Sequence, residues 1–131
     1  KTIKKKSEIS TLACKIKNRQ LFSKSNIVKV ITEQELSTKN VSKAKAFTRN
    51  ILENNYKNTY HHIGIYMYKV SILEKFVNLK QTKNEISHKL EQLRAMENNI
   101  EIDVNLANSS PIGVDTHEDY MEIKKLMEYK N

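Results

Sequence analysis

One cysteine, one proline, two glycines and three arginines are all that the 131 residues hold of those types. The single Cys14 excludes an internal disulfide. It lies between Ala13 and Lys15 in a strand-like run, which makes it a small buried hydrophobe rather than a nucleophile. No stretch approaches a membrane span. The basic start, Lys1 to Lys6, is followed by no apolar run of the kind a signal peptide needs. The chain is therefore expected to be cytoplasmic, with no membrane partner. Arginine is limited to Arg19, Arg49 and Arg94. That scarcity counts against nucleic-acid recognition, because arginine is the residue that reads bases and phosphates in a bidentate manner.

The net charge of +8 is unevenly spread. Residues 1–24 carry eight basic residues against Glu8 alone, and the rest of the chain carries 15 against 14. A basic end of this kind is a solvated face or frayed terminus; a basic nucleic-acid-binding module is the reading it competes with. The length suits one domain with one core.

The densest β-branched and aromatic stretch runs from Tyr60 to Val70, and it fits a strand buried on both faces. Gly64 within it marks a bulge or a place of close approach. His62, Gly64 and Tyr66 are spaced to project from one face. Two readings follow: the wall of a pocket for a polar ligand, or a core strand with satisfied polar tips.

Further strands are expected at Ile9–Ile16, Ile27–Thr32, Ala44–Arg49 and Ile100–Leu106, the last alternating with one buried face. Ser71-Ile72-Leu73-Glu74 and Thr82-Lys83-Asn84-Glu85 both have capping-box spacing. The first opens a helix to about Leu79. The second opens one helix striped by Ile86, Leu90 and Leu93. A turn follows at Ser109–Gly113, and then a last helix from Thr116 with Tyr120, Ile123, Leu126, Met127 and Lys130 on its inner face. The class is α/β. The first half supplies strands with almost no covering helix, so an open face or edge is expected, as in part of a larger domain.

Three stretches carry a resemblance. Tyr60-His61-His62-Ile63-Gly64-Ile65-Tyr66-Met67-Tyr68, Leu90-Glu91-Gln92-Leu93-Arg94 and Gly113-Val114-Asp115-Thr116-His117-Glu118-Asp119 resemble, in order and spacing, the C-terminal half of the CMP-Kdo synthetase family. These are the 3-deoxy-manno-octulosonate (Kdo) cytidylyltransferases of lipopolysaccharide synthesis. Ser10-Thr11-Leu12-Ala13, Ile27-Val28-Lys29-Val30 and Phe47-Thr48-Arg49 match the same family.

The resemblance implies a three-layer αβα nucleotide-diphosphosugar-transferase fold, of which residues 1–131 form a partial single domain. The family's N-terminal half, with its CTP-binding loop, has no counterpart in the sequence. The implied reaction joins CTP and Kdo to give CMP-Kdo and pyrophosphate, with magnesium as cofactor. The implied partners are a second copy or a separate N-terminal half. Carried over by position, Asp115 is a magnesium ligand, and His62, Tyr66, Glu91, Gln92 and Arg49 bind Kdo. Read without the resemblance, Asp115 caps a helix, Glu91 and Gln92 are solvated, and Arg49 is a surface charge. The alternative to a working enzyme is a non-catalytic remnant. The sequence departs from the family at Asn50-Ile51-Leu52-Glu53, where prolines are usual, at His117, where proline is usual, and at His88, where glutamate is usual.

Overall fold

The computed structural model describes residues 7–17, 19–51, 57–108 and 117–129. Strand pairing starts from β1, Ile9–Cys14, in which Ile9, Ala13 and Cys14 are buried, with Ser10 and Thr11 beside them. β1 has a neighbour on each edge. β4, Thr59–Tyr68, pairs with it antiparallel, and β5, Ile102–Leu106, pairs parallel. β2, Lys29–Thr32, lies between β4 and β3, Ser42–Thr48, antiparallel to both. The start of β3 then reaches β5, with Ser42 opposite Val104 and Lys43 opposite Asp103.

That last pairing closes the sheet into a ring in the order β1-β4-β2-β3-β5. The expected open edge is thus not found among the described strands. Closure satisfies the edge amides and carbonyls that an open sheet leaves to solvent. β5 buries Ile102, Asp103 and Val104 in succession, not one face only. A strand covered on both faces has no solvated side for Asp103, and its carboxylate accepts a hydrogen bond from the Ser7 hydroxyl.

The helices lie in the crossover from β4 to β5. α1 spans Val70–Val77, α2 Lys83–His88 and α3 Gln92–Glu97. Phe76 of α1, Leu90 and Ala95 join Ile9, Val30, Phe47, Tyr60, Ile102 and Val104 in one core. The α/β class expected from the pattern is what forms.

The two capping-box spacings behave differently. At Thr82 the box is complete: its hydroxyl accepts from Glu85 N at 3.1 Å, and Glu85 Oε1 accepts from Thr82 N at 3.2 Å. At Ser71 there is none. α1 begins two residues earlier, with Lys69 as an N-cap that makes no side-chain bond. The Lys69 amide is tied to Glu8 O at 3.0 Å, so the strand it leaves fixes the helix entry.

The single helix expected after Thr82 is two helices. Lys89 takes the left-handed conformation, φ 56° and ψ 46°, and ends α2. Leu90 is buried as the stripe implies, but Ile86 is 59% exposed, because the stripe is cut after one and a half turns. Across the break, Arg94 clasps Glu85 from two directions: Nε donates to Oε1 at 2.9 Å and Nη2 to Oε2. Glu85 is 3% exposed. The Arg94 hydrogen bonds hold its carboxyl below the usual carboxylate range. The Arg94 guanidinium also lies 4.7 Å from the Phe76 ring centroid, which joins α3 to α1.

α4, His117–Tyr129, leaves Tyr120 and Met127 largely exposed, against the expectation of an inner face. The proposed turn at Ser109–Gly113 and the helix start at Thr116 lie outside the described residues. No helix among the described residues is long and apolar enough to cross a membrane.

Glu85→Ala removes both the cap and the carboxylate under Arg94. It is expected to lower the unfolding free energy by about 3 kcal/mol, because one partner of a buried ion pair is left alone. Urea denaturation measures this, and Glu85→Ala combined with Arg94→Met should recover part of the loss.

Candidate functional site

β4 is two residues too long for β1. Thr11 faces Tyr66, while the next residue, Leu12, faces Ile63. Gly64 and Ile65 form the resulting bulge, which is one of the two roles expected of the glycine. Close approach is not observed: a Cβ on Gly64 would meet nothing within 4 Å. Beyond the bulge the strand opens to solvent, with Ile65 59% and Met67 63% exposed. β4 is therefore buried on both faces only from Thr59 to Ile63, not along its whole length.

A bulge strips ladder partners from nearby carbonyls. Thr11 supplies a replacement, its Oγ1 lying 2.9 Å from Ile65 O, 3.2 Å from Ile63 O and 2.8 Å from His62 Nε2. The hydroxyl has one proton, and carbonyls only accept. With that proton directed to a carbonyl, His62 Nε2 carries a hydrogen and donates to Thr11 Oγ1. Nδ1 then carries the lone pair.

The bulge does not separate the pair read from the sequence. The His62 and Tyr66 ring centroids are 5.5 Å apart. Phe47 of β3 stands edge-on to His62 at 5.1 Å. Tyr68 lies 5.9 Å from Tyr66 and Phe76 5.9 Å from Tyr68, so an aromatic row runs from β3 to α1. Burial lowers His62 to about 4, with His61 beside it adding to the effect. Burial pushes the Tyr66 phenol up, and Tyr68 and Glu91 push it further. Tyr68 rises for the same reasons, burial first and Glu91 second. At neutral pH the row thus holds a neutral imidazole and two protonated phenols, with the Glu91 carboxylate near enough to bias both phenols.

Of the other candidates, Glu91 is exposed at the start of α3 and Gln92 is buried beside it. Arg49 is differently engaged. Its guanidinium donates to Ser25 O at 3.1 Å, His88 O at 2.8 Å and Lys89 O at 3.0 Å. Asp115 lies outside the described residues. Among those described, no group of three or more His, Cys, Asp or Glu is placed to hold a metal ion. Cys14 is buried, as expected.

Sequence reading gave Thr11, Phe47 and Tyr68 no role in the site. The signal for Thr11 was two consecutive hydroxyl residues, Ser10 and Thr11, in the middle of an apolar strand.

A family model described as cytidylyltransferase matches residues 1–102. The chain belongs to the cytidylyltransferase family. Among its relatives, the 3-deoxy-manno-octulosonate cytidylyltransferase of Bartonella bacilliformis is 40% identical over 121 residues, 92% of this chain and 49% of the relative. The protein of the same name from Paramagnetospirillum magneticum is 38% identical over 120 residues, 92% of this chain and 48% of the relative. A solved structure of CMP:2-keto-3-deoxy-manno-octonic acid synthetase complexed with CTP superposes with a TM-score of 0.75 at 26% identity, over 95% of this chain and 51% of that one. The chain spans about half the length of the curated relatives it matches. The fold is that of an α/β piece of a nucleotidyltransferase, as the cytidylyltransferase motifs implied.

The His62 environment sets a pH dependence. The folded value lies below the ordinary 6.5, so the fold favours the neutral imidazole. That stabilisation is fully present above 6.5 and is lost as pH falls from 6.5 to about 4. It amounts to something on the order of 3 kcal/mol. Urea midpoints measured across this window should fall in the wild type. In His62→Gln the fall should be smaller, leaving the part contributed by half-buried His61, which is lowered by burial and by Lys29.

Proposed function

We propose that this chain carries the sugar-acid half of a CMP-Kdo synthetase, which transfers CMP from CTP to Kdo and releases pyrophosphate. The observation that carries the proposal is the meeting of His62 and Tyr66 across the bulge, next to Glu91, in a chain of the cytidylyltransferase family. In the reaction an oxygen–phosphorus bond forms between the sugar's anomeric hydroxyl and the α-phosphorus of CTP. The bond from that phosphorus to the bridging oxygen of the β-phosphate breaks, and pyrophosphate leaves.

Each group of the row has a distinct part in holding Kdo. His62 Nδ1, kept unprotonated by its burial and by the Nε2 bond to Thr11, accepts from a sugar hydroxyl. Tyr66, kept protonated, donates to a hydroxyl or to the sugar carboxylate. Glu91 accepts from hydroxyls, and the Gln92 amide both donates and accepts. Arg49 keeps one N–H on each of Nη1 and Nη2 beyond its three carbonyl bonds, and these meet the carboxylate. Phe47 and Tyr68 wall the pair and keep water from competing for these bonds.

Magnesium, when bound, neutralises charge on the phosphates. Asp115 supplies one hard oxygen ligand, and the rest come from the triphosphate and from the half of the relatives that this chain does not span. The partner is a separate N-terminal half or a second copy.

The test is CMP-Kdo formation from CTP and Kdo with magnesium, with this chain alone and with an N-terminal half from the same source. Turnover is expected only in the mixture, and Asp115→Asn should abolish it. No turnover in either case, with a broad melt of this chain, would leave the non-catalytic remnant as the reading.

A further inference from the structure

The largest fully buried side chain among the described residues is not apolar. It is Lys29, with no exposed surface. A buried ammonium ordinarily finds a carboxylate, because desolvation costs several kcal/mol per ion. Lys29 finds none: the described ion pairs are Lys43 with Glu101 and Arg94 with Glu85. Its Nζ donates instead to two backbone carbonyls, Lys24 O at 2.6 Å and Arg49 O. The first belongs to the connection before β2, the second to the residue that follows β3. One ammonium thus ties the connection before β2 to the residue just beyond the Lys29–Thr48 end of the β2–β3 ladder.

What it ties has consequences further along. Arg49, fixed through its own carbonyl, reaches back to Ser25 O and forward to His88 O and Lys89 O. Those last two carbonyls flank the left-handed peptide that separates α2 from α3. A lysine in that conformation carries a steric cost of about 1 kcal/mol or more, so something must hold it. Leu90 N on Glu85 O at 3.1 Å and the Arg49 fork do so. Two residues later come Glu91 and Gln92.

We propose that Lys29 is a positioning residue for the sugar-acid site: its buried ammonium fixes Arg49, and Arg49 fixes the break from which Glu91 and Gln92 are presented to His62 and Tyr66. This rests on the reading of those four residues as the Kdo site, but its structural half stands without it. Burial, with the Arg49 guanidinium beside it, lowers Lys29 to about 8, and the charged form still prevails at neutral pH. The carbonyls of Lys24 and Arg49 therefore face a full charge, a stronger tie than a neutral donor gives.

The test uses Lys29→Met, which keeps length and removes the donor, and Arg49→Gln, which removes the fork and leaves Lys29 intact. The first readout is NMR on the chain without any ligand. Lys29→Met is expected to move the Arg49 Nε–Hε resonance and the amides of Leu90, Glu91 and Gln92, although Lys29 bonds to none of the last three. Arg49→Gln is expected to move the same three amides. Should Lys29→Met not fold, Arg49→Gln still decides the second link: unmoved Leu90–Gln92 amides would overturn the proposal. Changes in Lys29→Met confined to residues 24–29 and the Arg49 backbone would overturn it too.

The second readout is turnover with the N-terminal half supplied. Lys29→Met should raise KM for Kdo about tenfold, with kcat and KM for CTP near wild type. Moved amides with an unchanged KM for Kdo would overturn the link to the sugar site. Absent turnover in the wild-type mixture would sink the functional reading instead, while the amide shifts would still decide whether Lys29 acts through Arg49.

Discussion

The fold depends on how β1 pairs with a β4 strand that is two residues too long for it. Thr11 and Leu12 are adjacent, yet their partners on β4, Tyr66 and Ile63, are three apart. A bulge takes ladder partners from nearby carbonyls, and a buried carbonyl left unpaired costs about 1–3 kcal/mol. The Thr11 hydroxyl sits among the Ile63 and Ile65 carbonyls and the His62 ring, and so answers that cost at one point. With its proton on a carbonyl, the same hydroxyl accepts from His62 Nε2 and leaves the lone pair on Nδ1. The device that rescues the strand pairing is thus also the one that prepares the site. A valine at Thr11, similar in shape, would supply neither, which is why this position couples stability to chemistry.

Much of the fold is legible from local pattern, because most of its elements are locally specified. β-branched runs became β1, β2 and β4, and the Thr82 box became the start of α2 with both of its reciprocal bonds. The failures share a cause: tertiary contacts overrode local signals. Ser71 has capping-box spacing, yet Lys69 is already tied to Glu8 and the helix starts before the serine can cap it. The stripe through Ile86, Leu90 and Leu93 has helical spacing, yet Arg49, from a distant strand, holds a left-handed turn in its middle. Closure of the ring through two residue pairs between β3 and β5 has no signature in either segment. At the site, period-two alternation places His62 and Tyr66 on one face, but nothing in that alternation announces the bulge between them.

Charge tells the same story from the other side. A net charge of +8 suggests a surface for polyanions. Yet Arg94 is spent on Glu85 and Phe76, and Arg49 on three carbonyls. Two of the three guanidinium forks thus hold the fold together, leaving lysine, a compact point charge, to dominate the surface. Lys29 is the exception that turns inward. Among the described residues its charge is matched by carbonyl dipoles and not by an acid, so it organises backbone without a described counter-charge near His62 and Tyr66.

That choice of partner has a chemical consequence for the site. A carboxylate beside Lys29 would also lie near His61, whose value Lys29 now lowers, and through it near His62. It would favour the imidazolium, and a protonated His62 has no lone pair to offer a sugar hydroxyl. An ammonium works in the opposite sense, adding to the burial that already lowers His61. The His62 side of the bulge is therefore built to stay uncharged on β4, with Glu91 the nearby anion. An arrangement of this kind can recognise hydroxyls by hydrogen bonds, as the proposed sugar-acid site requires, and would leave the handling of phosphate charge to groups elsewhere.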